Sequence, residues 1–186
     1  MIRRLLSLLL LGTLAYACAS GPVKTDPRLA TTTLNAYRLD SGDKLRVTVF
    51  GQADLTAEYS VDGTGRVALP LIEPVPARGK TSEEVARSLE AALGQKLLRH
   101  PSVSIEITQY RPFFILGEVN HPGQYPYVNG LTVQTAAAIA GGFTYRASTD
   151  GVTVTRHMDG SSVEGLAAID APVLPGDTIT VAERIF

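Results

Sequence analysis

Apolar and polar residues alternate in short bursts along this chain, and turn residues separate the bursts. Leu45, Val47 and Val49 alternate with Arg46 and Thr48, a period of two that predicts a half-buried strand. Tyr59-Ser60-Val61 and Arg66-Val67-Ala68-Leu69 predict two further strands around the turn Asp62-Gly63-Thr64-Gly65. Asp caps such a turn through its side chain and Gly accepts positive φ. At Thr81 the period becomes helical. Thr81 and Glu84 form a capping box, and Val85, Leu89, Ala92 and Leu93 share one face. Lys96, Arg99 and His100 sit near the C-terminal end, where positive charge complements the dipole, and Pro101 is expected to end the helix. Val103, Ile105 and Ile107 then alternate with Ser104, Glu106 and Thr108 as a strand.

A second unit starts near Pro112. Phe113 to Leu116 is a continuous apolar strand, followed by the turn His121-Pro122-Gly123 and a return strand through Tyr125 and Tyr127. Thr132 to Ala140 predicts a small-residue helix that Gly141-Gly142 ends with a left-handed cap. Val152, Val154 and then Thr178 to Val181 supply the remaining strands, with Asp159-Gly160 as the hairpin turn between them. The fold class is α+β, with one unit over 37–111 and a second over 112–186. One internal echo is visible: Ser41-Gly42-Asp43 precedes the first strand and Pro175-Gly176-Asp177 precedes the last. On local physics alone these are two good turns.

The chain opens differently. Arg3 and Arg4 precede an apolar run from Leu5 to Leu14, which at about 15 Å of helix is too short to cross a bilayer. Residues 1–17 therefore read as a signal peptide. The sole cysteine, Cys18, follows Leu14-Ala15-Tyr16-Ala17, a string that resembles a lipobox, so Cys18 is a candidate lipidation site. Ala15-Tyr16-Ala17 also fits ordinary signal-peptidase cleavage, and both readings stand. Ala19 follows the cysteine, so nothing argues for inner-membrane retention. Residues 18–36, rich in Thr, Pro, Ser and Gly, read as an extended tether of roughly 60 Å at full stretch.

Composition narrows the chemistry. The 186 residues are 45% hydrophobic and 19% charged with a formal charge of −1, values of a globular protein with no bulk attraction to nucleic acid. Loss of Arg3 and Arg4 with the signal leaves 15 Lys+Arg against 18 Asp+Glu, or −3. His100, His121 and His157 have no ligand spacing, so neither metal nor cofactor is expected. Glu83-Glu84 and Glu118 are candidate carboxylates for acid–base work, but the first pair already has a capping role. No phosphate-binding or nucleophile-elbow string is present. The residues point to no enzyme.

Taken together, six strings in order resemble the polysaccharide export family, across Tyr37 to Phe186. Tyr37-Arg-Leu-Asp-Ser-Gly-Asp43, Gly65-Arg-Val-Ala-Leu-Pro-Leu-Ile72 and Thr81-Ser-Glu-Glu-Val85 are similar to its export domain. Gly117-Glu-Val-Asn-His-Pro-Gly-Gln-Tyr125, Ala140-Gly-Gly-Phe143 and Pro175-Gly-Asp-Thr-Ile179 are similar to the soluble-ligand-binding β-grasp (SLBB) domain that follows. Ser41 stands where the family often has proline, and Glu73 where it has glycine. The resemblance implies a small α+β export domain followed by a β-grasp-like domain. It further implies a periplasmic ring around a translocating polysaccharide, built as a homo-oligomer and meeting an inner-membrane copolymerase. Members that form their own pore continue into more β-grasp repeats and an amphipathic helix. The end at Arg184-Ile185-Phe186 therefore sets the expectation of a separate outer-membrane β-barrel partner. The alternative classes are a monomeric glycan-binding or scaffold module and an envelope hydrolase. The residues this reading singles out are the turns Gly42, Asp43, Pro122, Gly123, Gly176 and Asp177, with Tyr110, Arg111, Tyr125 and Tyr127 as possible glycan contacts. For the tyrosines a core or interface role is the competing reading.

Overall fold

Leu45, Val47 and Val49 are all buried on one side of strand β1 (Lys44–Val49), as the period of two requires. This computed structural model describes residues 24–30, 37–158 and 161–185. The predicted signal peptide, Cys18 and the Asp159-Gly160 turn lie outside the described residues. β1 is the centre of a three-stranded antiparallel sheet, flanked by β2 (Ala57–Ser60) and β5 (Val103–Gln109). β3 (Arg66–Val67) and β4 (Val75–Pro76) form a small antiparallel pair beside it. Helix α2 (Ser82–Lys96) begins with the expected capping box, and its Val85, Leu89 and Leu93 enter the same core as β1. Its end differs from expectation. The N–H groups of both Leu97 and Leu98 close onto the Leu93 carbonyl, so the backbone stops the helix before Pro101. The proline ring instead packs near Gly94, where an added Cβ would sit 3.6 Å from its Cδ.

The second unit holds a mixed five-stranded sheet of β6 (Phe113–Gly117), β7 (Gly123–Tyr125), β8 (Val152–Met158), β9 (Ser161–Ala167) and β10 (Thr178–Val181), in the order β7-β6-β10-β8-β9. Its central pair, β6 and β10, is parallel, and the other pairs are antiparallel. Helix α3 (Val133–Ile139) connects the halves and buries Val133, Ala136 and Ala137, small side chains that let it lie close to the sheet. This is a β-grasp-like arrangement. Two expectations change. The hairpin partner of β8 is β9, not β10; β9 was missed because it has a single large apolar residue on its inner side, Val163, beside Gly165. Phe113-to-Leu116 is continuous in hydrophobicity but not in burial: Phe113 and Ile115 are buried, whereas Phe114 and Leu116 are exposed.

The segment read as an extended tether is, over 24–30, seated on the second unit. Its helix α1 (Pro27–Ala30) buries Leu29 in the β-grasp core. Asp26 N–H donates to the Leu166 carbonyl (2.8 Å), Ala168 N–H donates to Thr25 Oγ1 (3.0 Å), and Arg156 Nη1 donates to the Leu29 carbonyl (3.1 Å). This strap thus completes a domain from which it is separated in sequence by the whole first unit. Leu29→Ala is expected to destabilise the second unit by about 2–5 kcal/mol, the range for truncating a buried leucine. Urea unfolding followed by near-UV dichroism measures it, and an unchanged midpoint would show that the strap adds nothing to that core.

Candidate functional site at the junction of the two units

The two Gly-Asp turns are built alike. Gly42 and Gly176 both adopt left-handed backbone, at φ +95° and +84°. In each turn the Asp N–H bonds the carbonyl three residues back, and its carboxylate accepts that same residue's N–H: Asp40 to Asp43 at 2.8 Å and Leu174 to Asp177 at 2.7 Å. Each turn is then sewn to a neighbouring segment through the glycine N–H and the aspartate carbonyl. Gly42 donates to Val61, which donates back to Asp43; Gly176 donates to Pro112, and Phe114 donates to Asp177. The echo in sequence is therefore a repeated structural device.

Both aspartates are fully buried, so each charge needs a partner. Arg156, itself 3% exposed, holds Asp177 with two parallel bonds, Nε at 2.9 Å and Nη2 at 2.7 Å. Asp43 is held by Arg111, whose backbone N–H donates at 2.9 Å and whose Nη1 lies 3.7 Å away. Tyr37 OH donates to both Asp43 oxygens, at 3.0 and 2.8 Å, and accepts from Arg111 Nη1 at 2.8 Å. Burial and the neighbouring Asp43 charge push the Tyr37 hydroxyl well above its ordinary pKa, so it stays a neutral donor.

Arg111 lies between the units and touches both turns. A Cβ on Gly42 would sit 3.6 Å from Arg111 Cβ, and one on Gly176 only 2.5 Å from its Nε. Alongside runs an edge-to-face ladder of rings, Tyr37 to Tyr110 (4.9 Å) and Tyr110 to Tyr127 (5.5 Å), which crosses from one unit to the other. Arg111→Ala removes this wedge but leaves the main-chain bond to Asp43. The expected loss is about 1–3 kcal/mol, with unfolding split into two transitions as the units uncouple. A calorimetric trace that stays a single transition at the same temperature would remove Arg111 from that role.

Of the sequence candidates, Tyr110, Arg111 and Tyr127 meet here with Gly42, Asp43, Gly176 and Asp177. All three candidate side chains are half-buried. Tyr125 stands apart, stacked on Phe113 (5.9 Å) with its OH on the His121 carbonyl (2.7 Å). Pro122 is exposed at the hairpin tip and Gly123 opens β7, while Asn120 and His121 N–H groups tie the tip to the Gly142 and Ala140 carbonyls. Glu118 accepts from Thr144 Oγ1 (2.5 Å). Among the described residues no group of three or more His, Cys, Asp or Glu is placed to hold a metal. No helix among them is long and apolar enough to cross a membrane. Sequence reasoning missed Arg156, although the alternation Val152-Val154-Arg156 puts it on the buried face of β8. It also missed a basic cleft beside α2, for which no spacing rule exists.

Comparison with known proteins places this geometry. Residues 31–108 match the model of the polysaccharide biosynthesis/export protein family, and residues 112–167 match the SLBB domain. The chain thus carries an export domain of the polysaccharide export family in its first unit, followed by an SLBB domain in its second. The exopolysaccharide production protein ExoF of Rhizobium meliloti (strain 1021) is 41% identical over 119 residues, which cover 57% of this chain and 28% of that protein. Tyr110 and Arg111 fall between the two matched stretches, and the strap and β10 fall outside them. Of the junction residues, Tyr110, Arg111, Gly176 and Asp177 lie outside the matched stretches, whereas Tyr37, Gly42, Asp43 and Tyr127 lie inside them.

Proposed function

We propose that the chain is a periplasmic, outer-membrane-associated component of a machine that exports exopolysaccharide or capsule. Copies of it form a ring-like conduit that passes the glycan without altering it. The observation that carries this reading is the export domain followed directly by an SLBB domain, with Arg111 wedged between their two Gly-Asp turns. A ring requires heterologous interfaces that close. A stiff junction supports that reading, because every copy then offers its neighbours the same angle. The partners in this reading are the polysaccharide, an inner-membrane copolymerase and an outer-membrane β-barrel protein.

The anchor in this proposal is lipid on Cys18. Because the strap is bonded from Thr25 onward, the chain from Cys18 to Thr25 reaches at most roughly 25 Å, not the roughly 60 Å of a free tether. The SLBB domain, rather than the export domain, then lies against the membrane that carries the lipid. Deleting the gene is expected to stop polymer reaching the cell surface and to leave it inside the cell; intact export would end the proposal. Electron microscopy of the protein extracted with its envelope partners is expected to show rings. Isolated single copies that still bind glycan would favour the scaffold reading.

A further inference from the structure

Beside α2 the export domain carries a shallow cleft of about 560 Å³ with a basic rim. Arg38, Lys80 and Arg87 line it, with Glu84 as the only carboxylate among the lining residues. The three cations come from separate places in the chain: the segment leading into β1, the loop before α2, and α2 itself. Neutral oxygens orient two of them. Arg38 Nη1 donates to the Gly79 carbonyl at 2.7 Å, and Lys80 Nζ to Ser88 Oγ at 3.3 Å.

Glu84 offsets one of these three charges. Its Oε2 accepts the Thr81 N–H at 2.8 Å to close the capping box, and lies 3.6 Å from Arg38. Among the described residues neither Lys80 nor Arg87 makes an ion pair; Arg87 acts on Glu83 only as a neighbouring charge. Exposed cations scattered along a helix are an ordinary solvated face. Three from separate segments converging on one concavity are not, and here they converge on a domain whose ten basic and ten acidic residues over 37–111 balance.

We infer that this cleft is a subsite for the carboxylate groups of an acidic glycan. The inference rests on the export reading and adds a substrate class to it. A guanidinium pairs a carboxylate through two parallel bonds, and an ammonium adds a compact charge that follows it. Arg38 and Arg87 are exposed, so each contact is screened and weak. Weak contact suits moving cargo, since a site that grips tightly does not release.

The test is calorimetric titration of the purified protein at low salt with three probes: an oligogalacturonate of about ten sugars, its methyl ester, and a glutamate peptide of matched charge. The oligogalacturonate is expected to bind and the ester to fail. The variant Lys80→Glu/Arg87→Glu is expected to weaken binding at least about tenfold, or roughly 1.4 kcal/mol, while Arg99→Glu, outside the cleft, leaves it unchanged. The peptide is expected to bind at least about tenfold more weakly. Equal binding of the ester, or an unaffected cleft variant, would overturn the inference. A peptide that binds as tightly would make the cleft a protein-docking site and overturn it too. If the gene is needed for export and the ester binds equally, the export reading stands and the subsite falls; intact export in the deletion strain removes the export reading itself.

Discussion

Arg156→Met is expected to lower the stability of the SLBB domain by about 3–5 kcal/mol, the cost of leaving one member of a buried pair without the other. Asp177, with no exposed surface, would keep only the Leu174 N–H as a side-chain partner. The carbonyls of Leu29 and Pro172 would lose their guanidinium donors at the same time. For a unit of this size such a loss lowers the melting temperature by roughly 15 °C or more. Replacing the whole pair, as Arg156→Met/Asp177→Leu, is expected to recover part of it, since no charge is then stranded. Recovery stays incomplete because the Leu174 N–H loses its acceptor. Thermal unfolding of the three proteins tests this, and a double variant less stable than Arg156→Met would show that the stranded charge is not the cause.

Gly117→Ala is expected to prevent the SLBB domain from folding. At φ +82° an added Cβ would lie 2.0 Å from the Val181 carbonyl oxygen. That oxygen is main chain in the central parallel pair and already accepts the Glu118 N–H at 3.0 Å, so it cannot swing aside. The left-handed backbone alone costs about 1–2 kcal/mol with a side chain; the collision must then be relieved by parting β6 from β10. Gly51→Ala is the control, since its φ is also positive (+76°) but nothing lies within 4 Å. It is expected to cost only the backbone term. Circular dichroism and soluble yield compare the two, and equal behaviour would refute the account.

Much of the architecture was readable because local chemistry and burial agree. Thr81 and Glu84 announce α2, and Leu45, Val47 and Val49 announce β1. Asp62 announces its turn by accepting the N–H groups of Thr64 and Arg66. What escaped was whatever depended on distant partners. A four-residue helix shows no period, so Leu29 looked like one apolar residue in a polar stretch. The Gly-Asp echo could be seen, but not that Arg111 stands between its two copies, since that juxtaposition exists only after both units have formed. The candidate tyrosines were legible as aromatic and as candidates for a core or interface role, but not the ladder of rings that Tyr110 and Tyr127 form with Tyr37. The basic cleft joins residues from 38 to 87, and no spacing rule connects them.

The strap also sets an order of events. The export domain closes using residues 37–111 alone, and so is able to fold as soon as those have emerged. The SLBB core waits for β8, β9 and β10 and then takes up Leu29, 127 positions before Arg156. The folded export domain shortens that separation, because its two ends already meet where Arg111 Nη1 donates to Tyr37 OH at 2.8 Å. Docking of α1 is expected after β8 and β9 have paired, because the groups it bonds, Leu166, Ala168 and Arg156, lie on those strands or directly after them.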